Sequence, residues 1–207
     1  MTLLYLARHG ETVWNSEHRM QGWQDSPLSA LGVRQAESLG ERLRDVALDV
    51  IYASPTGRAW QTAQIARGDR EILMVACDAL REIKLGIWDG RRIEDVEETH
   101  PEALTRFWKA PHRYEPIEGG ESFHALAARV RPAISEIVAA HPDEVVLVVS
   151  HTVTLKIALA HFQGRPLAQI WESPYFKPAS LSIVEIEEQN GREARVRVEG
   201  AAEHLPE

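Results

Sequence analysis

Apolar residues gather along this chain in two rhythms. Four short stretches are nearly continuous in them: Leu3–Ala7, Val50–Ala53, Ile72–Ala76 and Val145–Val149. Unbroken apolar runs of that length, without alternation, predict parallel strands covered on both faces. Between them the period lengthens to that of a helix. From Ser29 to Arg44 one face carries Val33, Ala36, Leu39 and Leu43, and Ser29 is placed to cap the N-terminus. Helices are likewise expected over Thr56–Arg67 and Thr152–Phe162. The longest, Ser122–Ala140, keeps Phe123, Leu126, Val130, Ile134 and Ile137 in register, with a kink or break expected at Pro132. Leu181–Ile186 and Ala194–Glu199 flank Asn190-Gly191, a strong turn signal, and read as a closing antiparallel hairpin.

Strands alternating with helices predict a three-layer α/β/α sandwich around a mainly parallel sheet, within a single domain of 207 residues. The chain shows no internal repeat, low-complexity tract or linker. One stretch departs from the rhythm. Gly86 to Glu121 is polar, studded with aromatics and interrupted by Pro101, Pro111 and Pro116, and it reads as a cap-like excursion over one edge of the sheet.

Composition adds bounds. Apolar residues make up 44% and charged ones 26%, as in ordinary soluble globular proteins. The run Val145–Val149 falls far short of the ~20 residues a bilayer span needs. The N-terminal apolar stretch ends at Arg8-His9 with no basic start or cleavage site, so no signal peptide is expected. A lone cysteine, Cys77, precludes an internal disulfide and suits a reducing compartment, so a cytoplasmic location is expected. The net charge of −8 argues against a nucleic-acid partner. An anionic ligand would have to be drawn in by a local cationic pocket. No segment specifies an oligomeric state.

The candidate chemistry sits at strand ends. The first strand runs into Arg8-His9-Gly10, a poor ending for a buried strand and a good one for handling an anion. In open α/β sheets, ligands bind beyond the carboxyl ends of the strands. The second strand leads to Ser54-Pro55 and puts Arg58 in the first turn of the next helix. The third is followed by "LREIKLGIWDG", which carries Glu82, and the fourth ends at Ser150-His151 where another helix begins. Helix N-termini after Arg58 and His151 should add N–H groups that favour an anion. Two histidines, two arginines and a carboxylate suit phosphoryl transfer, which depends largely on positioning and charge stabilisation. Arginine forks match phosphate oxygens, neutral histidine is a nucleophile, and a carboxylic acid can protonate a departing alkoxide.

Each residue also has a plainer reading. His9 alone would be a satisfied structural histidine, Arg58 an exposed first-turn arginine, and Glu82 a salt-bridge partner of Arg81 or Lys84. Cys77 reads as packing, and the six tryptophans as mostly core, with Trp108 able to face a pocket. The other histidines, His18, His100 and His161 among them, lack metal-ligand spacing and are expected at the surface. No Walker loop, GxGxxG or serine elbow is present.

Taken in order, "RHGETVWN", "GW" with "PLSALGVRQA", "SPTGRAWQTA", "REIKLGIWDG", "GGES" and "VSHT" resemble the histidine phosphatase superfamily, the phosphoglycerate-mutase-like proteins, over nearly the full length. The resemblance implies a phosphoglycerate-mutase-like fold with His9 as the phosphorylated nucleophile. Arg8, Arg58 and His151 would hold the phosphoryl group, Glu82 would be the general acid/base, and Asn15 and Gln21 would add polar contacts. It implies no metal or cofactor, and small phosphorylated metabolites as partners. Mutases of this type carry a histidine-tyrosine-glycine motif after the catalytic glutamate, where this chain has "IKLGIWDG". The nearest arginine pair, Arg91-Arg92, is expected to open a surface helix. A broad-specificity phosphomonoesterase is therefore the leading expectation. A phosphoglycerate-mutase-type isomerase and a non-catalytic phospholigand- or protein-binding module on the same fold are the alternatives.

Overall fold

The four apolar stretches become neighbouring parallel strands in a computed structural model that describes residues 1–172, 174–187 and 193–206. In chain order the strands are β1 (Thr2–Arg8), β2 (Val50–Ala53), β3 (Leu73–Ala76), β4 (Val145–Ser150), β5 (Leu181–Glu187) and β6 (Glu193–Ala201). The helices are α1 (Val13–Ser16), α2 (Ala30–Arg42), α3 (Gly57–Arg67), α4 (Ile93–Thr99), α5 (Pro101–Lys109), α6 (Phe123–Ala140) and α7 (Thr152–Gln163). The sheet runs β3-β2-β4-β1-β5-β6, with β3, β2, β4 and β1 mutually parallel and β5 and β6 antiparallel. Register matters here. Arg8 pairs with Ser150 and Ala53 with Val149, so His9, Ser54 and His151 leave the sheet side by side at its carboxyl end.

Successive strand residues point to opposite faces, and both faces are covered. Leu4 and Leu6 of β1 and Val146 and Val148 of β4 pack with Leu126, Val130 and Ile134 of α6 and Ile157 of α7. Ala7, Ile51, Leu147 and Val149 pack on the other side with Leu39 of α2 and Ala59 and Ala63 of α3. That is the expected three-layer arrangement. Each large side chain buried this way contributes roughly 1.5–3 kcal/mol. Ser29 caps α2 as expected, its hydroxyl accepting from the Gly32 N–H.

Several local expectations are corrected. β3 is not buried on both faces: it is an edge strand, and Leu73 is 68% exposed. α6 runs unbroken through Pro132, because both Pro132 and Ala128, whose carbonyl loses its donor, face water. Of the tryptophans, only Trp88 is fully buried, while Trp23 and Trp108 are exposed and the rest lie in between. The cap-like stretch 86–121 carries α4 and α5. Its apolar side chains Trp88, Val96, Leu104, Phe107 and Tyr114 merge with the α6–α7 core, and α4 opens just after Arg92, as the sequence suggested. β5 and β6 pair as a hairpin, whose Asn190-Gly191 turn lies outside the described residues. Among the described residues no helix is long and apolar enough to cross a membrane.

Candidate active site

β1 hands the chain to His9 at the point where β4 hands it to His151. The His9 N–H donates to the Ser150 carbonyl at 3.0 Å, and the two imidazoles meet edge to face with centroids 5.1 Å apart. His9 Nδ1 lies 2.7 Å from the Gly10 carbonyl oxygen. A carbonyl only accepts, so Nδ1 carries the proton and Nε2 keeps its lone pair. Burial, reinforced by the charges of Arg58 and Arg8, holds the His9 pKa well below the ordinary histidine range. The ring is therefore neutral at physiological pH, with one nitrogen able to attack.

Close backbone approach fixes this loop. A Cβ on Gly10 would meet the Gly32 carbonyl oxygen at 2.4 Å, and one on Gly32 would meet the Glu11 oxygen at 1.9 Å. The first turn of α2 thus packs directly under residues 10 and 11. In the next turn Thr12 and Asn15 cap α1 reciprocally, and the Thr12 hydroxyl donates to Gln21 Oε1 at 3.0 Å. The Gln21 amide nitrogen is left buried without a hydrogen-bond partner among the described residues.

Arg58 is 1% exposed, so the reading of it as an exposed first-turn arginine is wrong. Its guanidinium donates to the carbonyls of Gly22 and Gln24 at 2.6 and 2.9 Å and to Asp25 Oδ1 at 2.9 Å. Asp89, from "IWDG", holds the same loop by accepting from the Gly22 and Gln24 N–H groups. His151 is fully buried, with Nε2 2.8 Å from the Ser54 hydroxyl and 3.3 Å from that of Thr56. Burial first, then Arg58, depresses its pKa well below the usual range.

Glu82 occupies the N-terminus of α7. Its Oε1 accepts from the Ile83 N–H (2.9 Å) and the Thr154 N–H (3.1 Å), while the Thr154 hydroxyl, 3.2 Å away, donates to the Arg81 carbonyl at 2.8 Å. Among the described residues Oε2 accepts only from the Val153 N–H, at 3.0 Å, and so keeps room for a proton. Burial raises the Glu82 pKa, partly offset by the Val153 and Ile83 N–H groups and by Arg58. The Val153 and Thr154 N–H groups of α7 are thus taken by the protein's own carboxylate. At α3 the Arg58 N–H likewise points at Asp25, at 3.4 Å. Each N-terminus thus engages an internal carboxylate through part of its first turn.

These residues surround a pocket of about 270 Å³. Arg8, His9, Asn15, Gln21 and Glu82 line it, while Arg58 and His151 stand behind His9 and act on it through charge and contact. Trp108 also lines it, as the sequence allowed, beside Phe107 and Trp171. Arg8 donates through Nη1 to the Phe176 carbonyl at 2.7 Å and the Tyr175 hydroxyl at 3.1 Å. Four buried atoms of this cluster have no hydrogen-bond partner among the described residues: Arg8 Nε, Gln21 Nε2, Arg58 Nε and His151 Nδ1. Such groups are costly to leave unpaired; the arginine and amide nitrogens donate, and His151 Nδ1 does so in the tautomer that carries its proton.

Sequence reasoning missed a supporting layer. Arg129 donates to the carbonyls of Ala79, Arg81 and Glu82 and forks onto both oxygens of Glu121 at 2.9 Å. The glutamate of "GGES" therefore braces the strap bearing Glu82. Arg19 and Lys156, also missed, line the pocket. The signal for Lys156 was a single charge inside the apolar run "VTLKIALA". Conversely, the acidic side chains of the cover, Glu94, Asp95, Glu97, Glu98 and Glu102 among them, are exposed and none lines the pocket. They do not set its charge.

The profile of the histidine phosphatase superfamily (branch 1) matches residues 4–199. The chain belongs to that superfamily. Among histidine phosphatase relatives, phosphoserine phosphatase 1 of Hydrogenobacter thermophilus is 36% identical over 91% of this chain and 89% of its own. A protein of Salmonella choleraesuis named "Probable phosphoglycerate mutase GpmB" is 33% identical over 93% of this chain and 87% of its own. The solved structure of Bacillus stearothermophilus YhfR superposes with a TM-score of 0.94 at 44% identity, covering 100% of both chains.

Proposed function

We propose that this histidine phosphatase is a phosphomonoester hydrolase acting on small phosphorylated metabolites through a phosphohistidine on His9. The observation that carries the reading is the set of partnerless buried donors on Arg8, Gln21, Arg58 and His151 gathered around a neutral, proton-oriented imidazole. A phosphoryl group is the anion that would satisfy them. In the tautomer where Ser54 donates to His151 Nε2, the ring proton sits on Nδ1, the atom that lacks a partner.

In the first step His9 Nε2 attacks phosphorus, the bond to the leaving oxygen breaks, and protonated Glu82 delivers its Oε2 proton to that oxygen. Arg8 holds the equatorial oxygens as their charge redistributes, Arg58 and His151 support it from behind His9, and Asn15 and Gln21 contribute amide contacts. In the second step Glu82, now a carboxylate, takes a proton from water as it attacks the phosphohistidine. Inorganic phosphate leaves and both residues return to their starting states. Cationic side chains supply the charge stabilisation, so chelator should not alter the rate.

Rapid quench with labelled substrate tests this. An acid-labile, base-stable phosphoprotein is expected in the native protein and absent in His9→Ala. An acid-stable ester, or label surviving in His9→Ala, overturns the assignment. Interconversion of 2- and 3-phosphoglycerate without phosphate release would instead identify a mutase using the same residues.

A further inference from the structure

The carboxyl of Glu82 is aimed by its own backbone. The peptide joining Glu82 to Ile83 is a rigid plane, so its C=O and N–H turn together. The N–H donates to Glu82 Oε1 at 2.9 Å, which helps decide which carboxyl oxygen keeps the proton. The C=O accepts two hydrogen bonds, from Arg129 Nη2 and from the indole Nε1 of Trp23, both at 2.9 Å. Tilting that carbonyl would tilt the N–H and swing the carboxyl with it.

Trp23 also grips the residues around Glu82. The Arg81 guanidinium and the Lys84 ammonium each lie over its ring, 5.3 Å from the centre, as cations do over an indole face. The loop that bears Trp23 is itself fixed. Its Gly22 and Gln24 carbonyls accept from Arg58, and their N–H groups donate to Asp89. A Cβ on Gly22 would meet the Ile83 carbonyl oxygen at 2.8 Å, so loop and strap lie in direct contact. Packing alone does not explain the residue, because Trp23 is 41% exposed, and it does not line the pocket.

We propose that Trp23 is a positioning residue for the general acid, its indole N–H fixing the Glu82–Ile83 peptide and thereby the carboxyl that protonates the leaving oxygen. This rests on the phosphatase reading. Arg129 reaches the same carbonyl from α6, whereas Trp23 reaches it from the loop that holds Arg58. The indole therefore ties the proton donor to the arginine behind His9.

Trp23→Phe tests this, since it keeps an aromatic face and removes the donor. Single-turnover phosphoenzyme formation should slow by roughly tenfold to a hundredfold with propyl phosphate. With p-nitrophenyl phosphate, whose leaving group needs no proton, it should change by no more than about twofold. The ratio of the two rates is read on one sample, so a loss of folded protein cancels. In a Glu82→Gln background the same substitution should cost nothing further, because residues acting as one unit are not additive. Equal slowing of both esters, no slowing of either, or a full additional loss in the Glu82→Gln background overturns the proposal. If the native protein forms no phosphoenzyme from either ester, the phosphatase reading itself fails and takes this role with it.

Discussion

His9 and Glu82 need opposite protonation states, and their surroundings supply both. Burial, with Arg58 and Arg8, depresses the His9 pKa, so the neutral ring is lost only as pH falls through that lowered value. Burial raises the Glu82 pKa, so the proton it must donate is lost as pH rises through that value. Single-turnover phosphoenzyme formation from an alkyl phosphate should therefore decline on the alkaline side. That limb should vanish in Glu82→Gln, which should slow alkyl phosphates on the order of 10²-fold or more. With p-nitrophenyl phosphate, whose leaving group departs without a proton, the same substitution should cost far less. Equal losses on both substrates would reduce Glu82 to a positional role. The residue types at these positions were legible in the sequence. The oxygen that keeps room for the proton was not, because it depends on Val153 and Thr154, about seventy residues away in the chain.

At the scale of elements, two contacts hold the machinery in place. α2 approaches the His9 loop so closely that a methyl group on Gly32 must displace backbone. Gly32→Ala should cost about 1–3 kcal/mol in urea denaturation, the range for overpacking a tight contact, and should reduce turnover with it. The second contact is the Arg129 fork on Glu121, which secures the carbonyls of residues 79, 81 and 82. Arg129→Met should slow alkyl phosphates by roughly tenfold to a hundredfold, the effect of misplacing a reacting group by about an ångström. It should spare p-nitrophenyl phosphate, because the damage passes through the proton donor. Loss on both substrates would mean general unfolding. Strand and helix positions followed from periodicity, but periodicity says nothing of what lies beside an element. Hence β3 carried a buried-strand pattern yet forms an edge, and α6 continues through Pro132 because the orphaned carbonyl faces water.

Over the whole molecule, a net charge of −8 repels anions, so phosphate binding must come from the local donors around His9. Inorganic phosphate at a hundred times its dissociation constant should stabilise the fold by about 2.7 kcal/mol. For a chain of this size that is a rise in Tm of roughly 5–10 °C. Arg8→Ala should lose most of the shift, and an equal shift in that variant would place phosphate elsewhere. The amino-acid sequence by itself determined the layers, the parallel character of the apolar strands and the identity of the histidines, arginines and glutamate. Those depend on local period and on residue type at strand ends, both carried by short windows of chain. Tertiary structure alone decided where the charges point. It set Glu82 and Asp25 against the helix N-termini, buried Arg58, turned the cover's acids outward and set Lys156 into the pocket wall. Orientation and burial arise from contacts between residues far apart in sequence, and no local pattern records them.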